Sequence, residues 1–169
     1  SEMCIRDRYN NEITDAGLKE LAAIPSLRTL DLDNTKVTDA GLKELAKLQG
    51  LQVLQIGRTG VTDAGLKELT GLKDLRELSL YDTSITDEGL KVLAGIKTLR
   101  KLDLLRAKVT NAGMKSLAQL PDLQTLRLGQ TAVTDDGVKE LAGLASLEDL
   151  NLDHTDVTDV GVAQLAGLK

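Results

Sequence analysis

A Thr-Asp pair recurs along this chain at a spacing of 24 residues. Thr14, Thr38, Thr62, Thr86, Thr110, Thr134 and Thr158 are each followed by Asp, except that Asn111 stands after Thr110. A row of carboxylates at fixed spacing could hold divalent cations. Such sites need several oxygen ligands per ion, and no second acid stands at ligand spacing in each unit. The reading the pattern favours is helix capping, because a Thr or Asp oxygen accepts from the free N–H groups of a first helical turn. His154, the single histidine, lies between Asp153 and Asp156. That trio suggests metal or acid–base chemistry, but one exposed histidine without a pocket makes no catalytic set. Cys4 is the only cysteine, so neither a disulfide framework nor a zinc cluster follows. A glycine recurs with the Thr-Asp pair, from Gly17 and Gly41 to Gly161, but no GxxxxGK[ST] or GxGxxG surrounds it and it is no phosphate loop. No enzyme activity, cofactor, metal or small-molecule substrate is expected.

The elements that carry these residues follow from the same period. Leu27–Gly50, LRTLDLDNTKVTDAGLKELAKLQG, returns at Leu51, Leu75, Leu99, Leu123 and Leu147. Leu30 and Leu32 are two apart, on one face of a strand. Leu42, Leu45 and Ala46 are three and four apart, a helical stripe. Each repeat therefore predicts a short strand, a turn, a short helix and a return. Glycine inside the helix costs roughly 0.5–1 kcal/mol relative to Ala; its recurrence predicts a close backbone approach or an unusual dihedral. No repeat buries its apolar side alone, so the units must stack into one core. Strands stack about 4.8 Å apart and helices need about 10 Å, which bends the stack with the sheet on the inner side.

The pattern LxxLxLxxTxVTDAGLKELAxLxx resembles the leucine-rich repeat family over about Tyr9 to Lys169. It is similar to the cysteine-containing subclass, which shares the ITDxGL half-repeat, and to Thr-bearing repeats of environmental bacteria. The family's ninth-position Asn is Thr here (Thr35, Thr59, Thr83, Thr131, Thr155); Asn11 keeps it and Ala107 departs, leaving one hydroxyl out of that ladder. The resemblance implies an α/β leucine-rich-repeat solenoid, a right-handed β-α superhelix with a parallel sheet on the concave face and short helices on the convex face. It implies protein–protein recognition and no activity.

Composition sets the remaining bounds. The 169 residues are 41% hydrophobic and 28% charged, with no Phe or Trp, so the core must be aliphatic. A net charge of −5 and few aromatics argue against a nucleic-acid partner. No run of apolar residues is long enough to span a membrane, and the compartment is left open. Residues 1–8, SEMCIRDR, place Arg6 and Arg8 where the repeat demands apolar residues. They resemble a translated sequencing-adapter string and are expected to be a non-native or disordered leader, the alternative being a genuine polar extension. Residues 9–169 form the repeat domain: a partial first repeat at 9–26, then repeats starting at 27, 51, 75, 99, 123 and 147. With no recognisable cap at either end, the chain is expected to be a piece of a longer repeat protein.

Function is expected at the third, fifth and seventh repeat positions, which face the concave side and vary. Tyr81 and Leu105 are neighbours in the seventh column, flanked by Gly57 and Gly129. The leading candidate is a protein-binding patch of Glu77, Ser79, Tyr81, Asp82, Lys101, Asp103, Leu105, Arg106 and Arg127, since Tyr and Arg are enriched at binding hot spots. Two alternatives stand beside it: a structural spacer in a larger protein, and, by analogy with cysteine-containing relatives, a substrate-receptor part of a ubiquitin-ligase-like assembly. The convex columns, Lys19 to Lys139 beside Glu20 to Glu140, read as a solvated face.

Overall fold

The structure is a computed structural model that describes residues 3–6, as backbone, and 12–167. Strands and short helices alternate through the described residues. The strands are β1 (Met3–Arg6), β2 (Leu27–Asp31), β3 (Val53–Gln55), β4 (Glu77–Ser79), β5 (Lys101–Asp103), β6 (Thr125–Arg127) and β7 (Asp149–Asn151). The helices are α1 (Asp15–Leu21), α2 (Asp39–Leu45), α3 (Asp63–Leu66), α4 (Asp87–Leu93), α5 (Asn111–Leu117), α6 (Asp135–Glu140) and α7 (Asp159–Gln164). The seven strands form one parallel sheet in sequence order, the topology of a solenoid in which each unit meets only its neighbours.

Register from β2 onward follows the 24-residue period without slippage, with Leu30, Leu54, Leu78, Leu102, Leu126 and Leu150 in one row. These leucines and their partners at the sixth position form the inner row of a continuous aliphatic core. Leu30, Leu54 and Leu126 are fully buried, as are the helix leucines Leu42, Leu66 and Leu90. Each such side chain contributes roughly 1.5–3 kcal/mol. At β1 the period breaks. A register shift between Met3 and Cys4 sets Ile5 opposite Leu30, where the period would set Arg6. Of the 1–8 segment expected to be a leader, these four residues are described, as a strand. The others, and residues 9–11 of the first repeat, lie outside the described residues.

Beyond each of β2 to β7 the backbone turns through a left-handed residue. Asn34, Arg58, Asp82, Arg106, Gln130 and His154 have φ between 52° and 60°. This is costly for residues other than glycine, roughly 1–2 kcal/mol. The turn lets the N–H of the first five donate to the next repeat, as Asn34 does to the Gly57 carbonyl and Asp82 to that of Leu105, at 2.9 and 2.7 Å. Asn34, Asp82 and His154 are residue types enriched in this conformation, whereas Arg58, Arg106 and Gln130 give no such signal, so the sequence shows the turn only in part. The ninth-position threonines close the same turn. Thr83 Oγ1 donates to the Leu80 carbonyl at 2.6 Å, and at Ala107 the backbone N–H serves Leu104 instead, at 2.9 Å.

The Thr-Asp pair does more than cap. Each Thr stands at the N-cap of its helix, while the Asp after it reaches forward to the next repeat. Asp39 Oδ1 accepts the Thr62 N–H at 2.7 Å and Oδ2 accepts the Thr62 hydroxyl at 2.6 Å. The same pair of bonds joins Asp15 to Thr38, Asp63 to Thr86, Asp87 to Thr110 and Asp135 to Thr158. Every Thr held this way also accepts from a first-turn N–H of its own helix; Thr14 and Thr134 do not. Thr134 meets Asn111, whose amide donates to the Thr134 hydroxyl oxygen at 2.8 Å. A carboxylate takes the hydroxyl proton and leaves the oxygen's lone pair free to cap; an amide donor occupies that lone pair. Asp135 is held below the usual carboxylate range by the bonds from the Thr158 N–H and hydroxyl and from the Gly161 N–H.

The recurring glycine is explained by the same junction. A Cβ on Gly41 would collide with Asp15 Oδ1 and lie 2.7 Å from Leu18 Cδ1; Gly65, Gly89 and Gly113 repeat the relation with Asp39, Asp63 and Asp87. No glycine has positive φ. The requirement is therefore close approach, not an unusual dihedral.

Candidate functional site

The concave face is built by side chains that point away from the leucine row. Alternation along each strand puts the third and fifth residues on this face, and the seventh follows at the strand's exit. Across β2 to β6 these residues surround a depression of about 370 Å³ lined by Asp33, Val53, Gln55, Glu77, Ser79, Tyr81, Lys101, Asp103, Thr125 and Arg127, with Leu54, Leu78 and Leu102 between them.

Tyr81 forms one wall. Its ring lies over Gly57, where a Cβ would collide with it, and the Arg58 guanidinium carbon sits 5.6 Å from the ring centroid. Glycine in the preceding repeat is what lets the ring lie down. Leu105 leans the opposite way, its Cδ1 2.9 Å from where a Cβ on Gly129 would stand. The two neighbours in the seventh column thus diverge, each filling the space over a glycine. Leu105 is half-buried rather than exposed, because Gly129 offers it cover.

The two cations in the concave columns are each paired with an acid of the preceding repeat. Lys101 Nζ meets Glu77 Oε1 at 2.9 Å and Arg127 Nη1 meets Asp103 Oδ2 at 3.5 Å. Exposed pairs of this kind contribute about 0–1 kcal/mol; they set the local field more than the stability. Among the described residues Asp33 makes no such pair. Its Oδ1 accepts the Gly57 N–H at 2.6 Å. Burial pushes its carboxyl up from the ordinary 3.8 to about 6, against that hydrogen bond and with the help of nearby Asp31 and Asp103. The Tyr81 phenol is also raised, first by burial and then by the charge of Asp33.

The structure brings six of the nine expected patch residues around the depression: Glu77, Ser79, Tyr81, Lys101, Asp103 and Arg127. Leu105 lies beside it, over Gly129. Asp82 and Arg106 stand on the left-handed turns, outside the lining. There Asp82 accepts from Arg58 Nε at 3.1 Å and Arg106 Nε donates to Gln130 Oε1 at 2.7 Å. The lining residues not anticipated, Asp33, Val53, Gln55 and Thr125, belong to the same three columns. The depression sits nearer the N-terminal side than expected because Tyr81 leans that way, which no spacing rule reveals.

Other chemistry is sparse. Exposed His154 occupies a left-handed turn, and neighbouring Asp153 accepts from Asn151 Nδ2 at 2.7 Å. Among the described residues no three His, Cys, Asp or Glu side chains converge in a metal-holding group. No described helix is long and apolar enough to cross a membrane. What the face can do is present a shallow, mixed polar and aromatic surface to another molecule.

Comparison with known proteins agrees with this architecture. Two family models described as leucine-rich repeat match the sequence, one over residues 97–157 and the other over 8–22, 23–46 and 72–94. No curated protein matches. Among solved structures, an internalin (inlF) from Listeria monocytogenes is similar with a TM-score of 0.69 and 20% identity, covering 89% of this chain and 49% of its own. Internalin C2 (inlC2) from the same organism is similar with a TM-score of 0.68 and 27% identity, covering 91% of this chain and 73% of its own. The chain thus spans about half the length of the first and about three quarters of the second.

Proposed function

Because the chain belongs to the leucine-rich repeat family, a family of protein-binding scaffolds, we propose that it recognises a protein partner through its concave sheet face, at the depression beside Tyr81. One observation carries this reading. The repeats agree closely at buried and helical positions, where Lys19, Lys43, Lys67, Lys91, Lys115 and Lys139 occupy one convex column. They differ in charge, size and polarity on the concave side, and the one depression described there is lined by those differing residues. Specificity requires variety, and Tyr81 supplies a large rigid contact surface of the kind that dominates binding energy. Affinity in this reading comes from Tyr81 and the surrounding polar groups, while the helices serve only to hold the strands in register. The likeness to internalins supports the scaffold architecture.

The spacer reading draws on one feature, the pairing of both concave cations within the face itself. Site-specific photo-crosslinking separates the two. A crosslinker placed at Ser79, inside the depression, is expected to trap a discrete protein from host lysate that one at Lys91, on the convex side, does not. Equal yields from both positions, or none from Ser79, would remove the concave assignment.

A further inference from the structure

We propose that the depression on the concave face receives a basic side chain, arginine or lysine, of the protein partner, its stem over Val53 and Leu78 and its cationic head at Asp33. This names the partner's chemistry and rests on recognition through that face. The depression, about 370 Å³, combines Val53, Leu54 and Leu78 with the Tyr81 ring and the side-chain oxygens of Gln55 and Ser79. A lysine or arginine stem covers apolar surface of this kind while its head keeps to polar atoms. An aromatic ring attracts a cation to its face, and Tyr81 already does so: the Arg58 guanidinium carbon lies 5.6 Å from its centroid.

Charge selects the occupant. Three acids line the depression, Asp33, Glu77 and Asp103. Two are matched within the face, Glu77 by Lys101 at 2.9 Å and Asp103 by Arg127 at 3.5 Å. Asp33 makes no ion pair among the described residues. Its Oδ1 accepts the Gly57 N–H at 2.6 Å, and its Oδ2 accepts from no described group, so that oxygen can take a donor from outside. The concave columns of β2 and β3 carry Asp31 and Asp33 and no cation. Arg58, on the turn after β3, spends its Nε on Asp82 Oδ2 at 3.1 Å. Burial pushes the Asp33 carboxyl up to about 6, against the Gly57 hydrogen bond; Asp31 and Asp103 add to the rise and Arg58 opposes it. A carboxylate so placed costs the folded chain stability, and a cation set beside it removes that cost. An acidic occupant would instead meet Asp33 with like charge and would have to draw Lys101 or Arg127 from acids they already hold.

NMR titration of the whole chain near neutral pH tests this with three probes at equal ionic strength: Nα-acetylarginine amide, the neutral Nα-acetylcitrulline amide and the acidic Nα-acetylglutamate amide. The arginine probe is expected to shift the Gly57, Ser79 and Tyr81 amides with an affinity at least about tenfold above that of the citrulline probe, the worth of a charge-assisted hydrogen bond. Asp33→Asn, which can still accept the Gly57 N–H, is expected to bring the arginine probe down to the citrulline level. In the native chain the midpoint of the Asp33 carboxyl carbon is expected to fall when the arginine probe is present, because a cation favours the ionised form; this reading needs no variant. Arginine no better than citrulline, a preference for glutamate, a preference for arginine that survives Asp33→Asn, an unmoved midpoint, or no shift with any probe overturns the proposal. The probes need no partner, so a chain that crosslinks a protein from Ser79 yet shows no arginine preference loses this proposal and keeps recognition through the concave face.

Discussion

Asn111 donates its side-chain amide to the Thr134 hydroxyl oxygen, where every other described junction of this kind has a carboxylate accepting the hydroxyl proton. This one exchange removes the Thr134 cap from α6. Asn111→Asp is therefore expected to restore it and to stabilise the protein by about 1 kcal/mol, the usual worth of a cap. Chemical denaturation of the two proteins at pH 7 measures the difference. The gain should shrink on acidification, because the new carboxylate acts only while ionised. A variant no more stable than the parent at pH 7 contradicts the account of the junction.

Two chemically identical changes should have opposite signs. Gly89 lies under Asp63 and Leu66, and a Cβ there would sit 2.9 Å from Ile85 Cγ2 and 3.0 Å from Leu66 Cδ1. Gly89→Ala is expected to cost about 1–3 kcal/mol by overpacking, beyond what better helix propensity returns. A Cβ on Gly17 would make only an ordinary 3.4 Å contact with Ile13 Cγ2 among the described residues, and Gly17→Ala should stabilise by about 0.5–1 kcal/mol. Thermal unfolding midpoints distinguish the pair.

Asp33 titrates in the folded state near 6 instead of 3.8. Between those values the folded chain holds more protons than the unfolded one, so this group's contribution to stability falls as pH rises through the window. Asp33→Asn is expected to leave stability unchanged at pH 3.5 and to raise it at pH 7. The gain is about 1 kcal/mol once the shift is discounted for the water that reaches a half-buried group. Denaturation at both pH values checks this. A midpoint for the Asp33 carboxyl carbon near 4 in an NMR titration would contradict it.

The left-handed turn leaves one carbonyl per repeat to a threonine. Thr83 is buried and its hydroxyl serves the Leu80 carbonyl. Thr83→Val should strand that acceptor and cost about 1–3 kcal/mol. Ala107→Thr should change stability by much less, because the Ala107 N–H already serves Leu104. Paired denaturation curves decide.

Periodicity carried the fold into the sequence almost whole. Leu30 and Leu32 two apart, and Leu42 and Leu45 three apart, are enough to place strand and helix. The repetition of Gly41 and its counterparts signals either close approach or an unusual dihedral, and the neighbouring Asp and Leu atoms together with ordinary φ values select close approach. What the sequence conceals is relational. Asp39 reads as a cap for its own helix, yet its carboxylate is spent 23 residues downstream on Thr62. Six residues at the eighth position adopt left-handed backbone, although three of them, Arg58, Arg106 and Gln130, are of types that give no sign of it. On the concave face the three columns were legible from strand alternation. The depression itself was not, because its place depends on which glycine Tyr81 lies over, and Asp33 enters it only through that choice. The register break at Met3 and Cys4 likewise departs from a period that holds everywhere else in the sheet.

Paired affinity capture tests the central claim most directly. Three forms with matched circular dichroism are compared on host lysate: the native chain, Ser79→Arg/Tyr81→Ala in the depression, and Lys67→Glu/Lys91→Glu on the convex helices. The account predicts a partner retained by the native and convex forms and reduced at least about tenfold by the concave one, the loss of roughly 1.4 kcal/mol or more that removing a hot-spot residue brings. A partner held equally by all three, or lost only with the convex changes, would contradict recognition through the concave face.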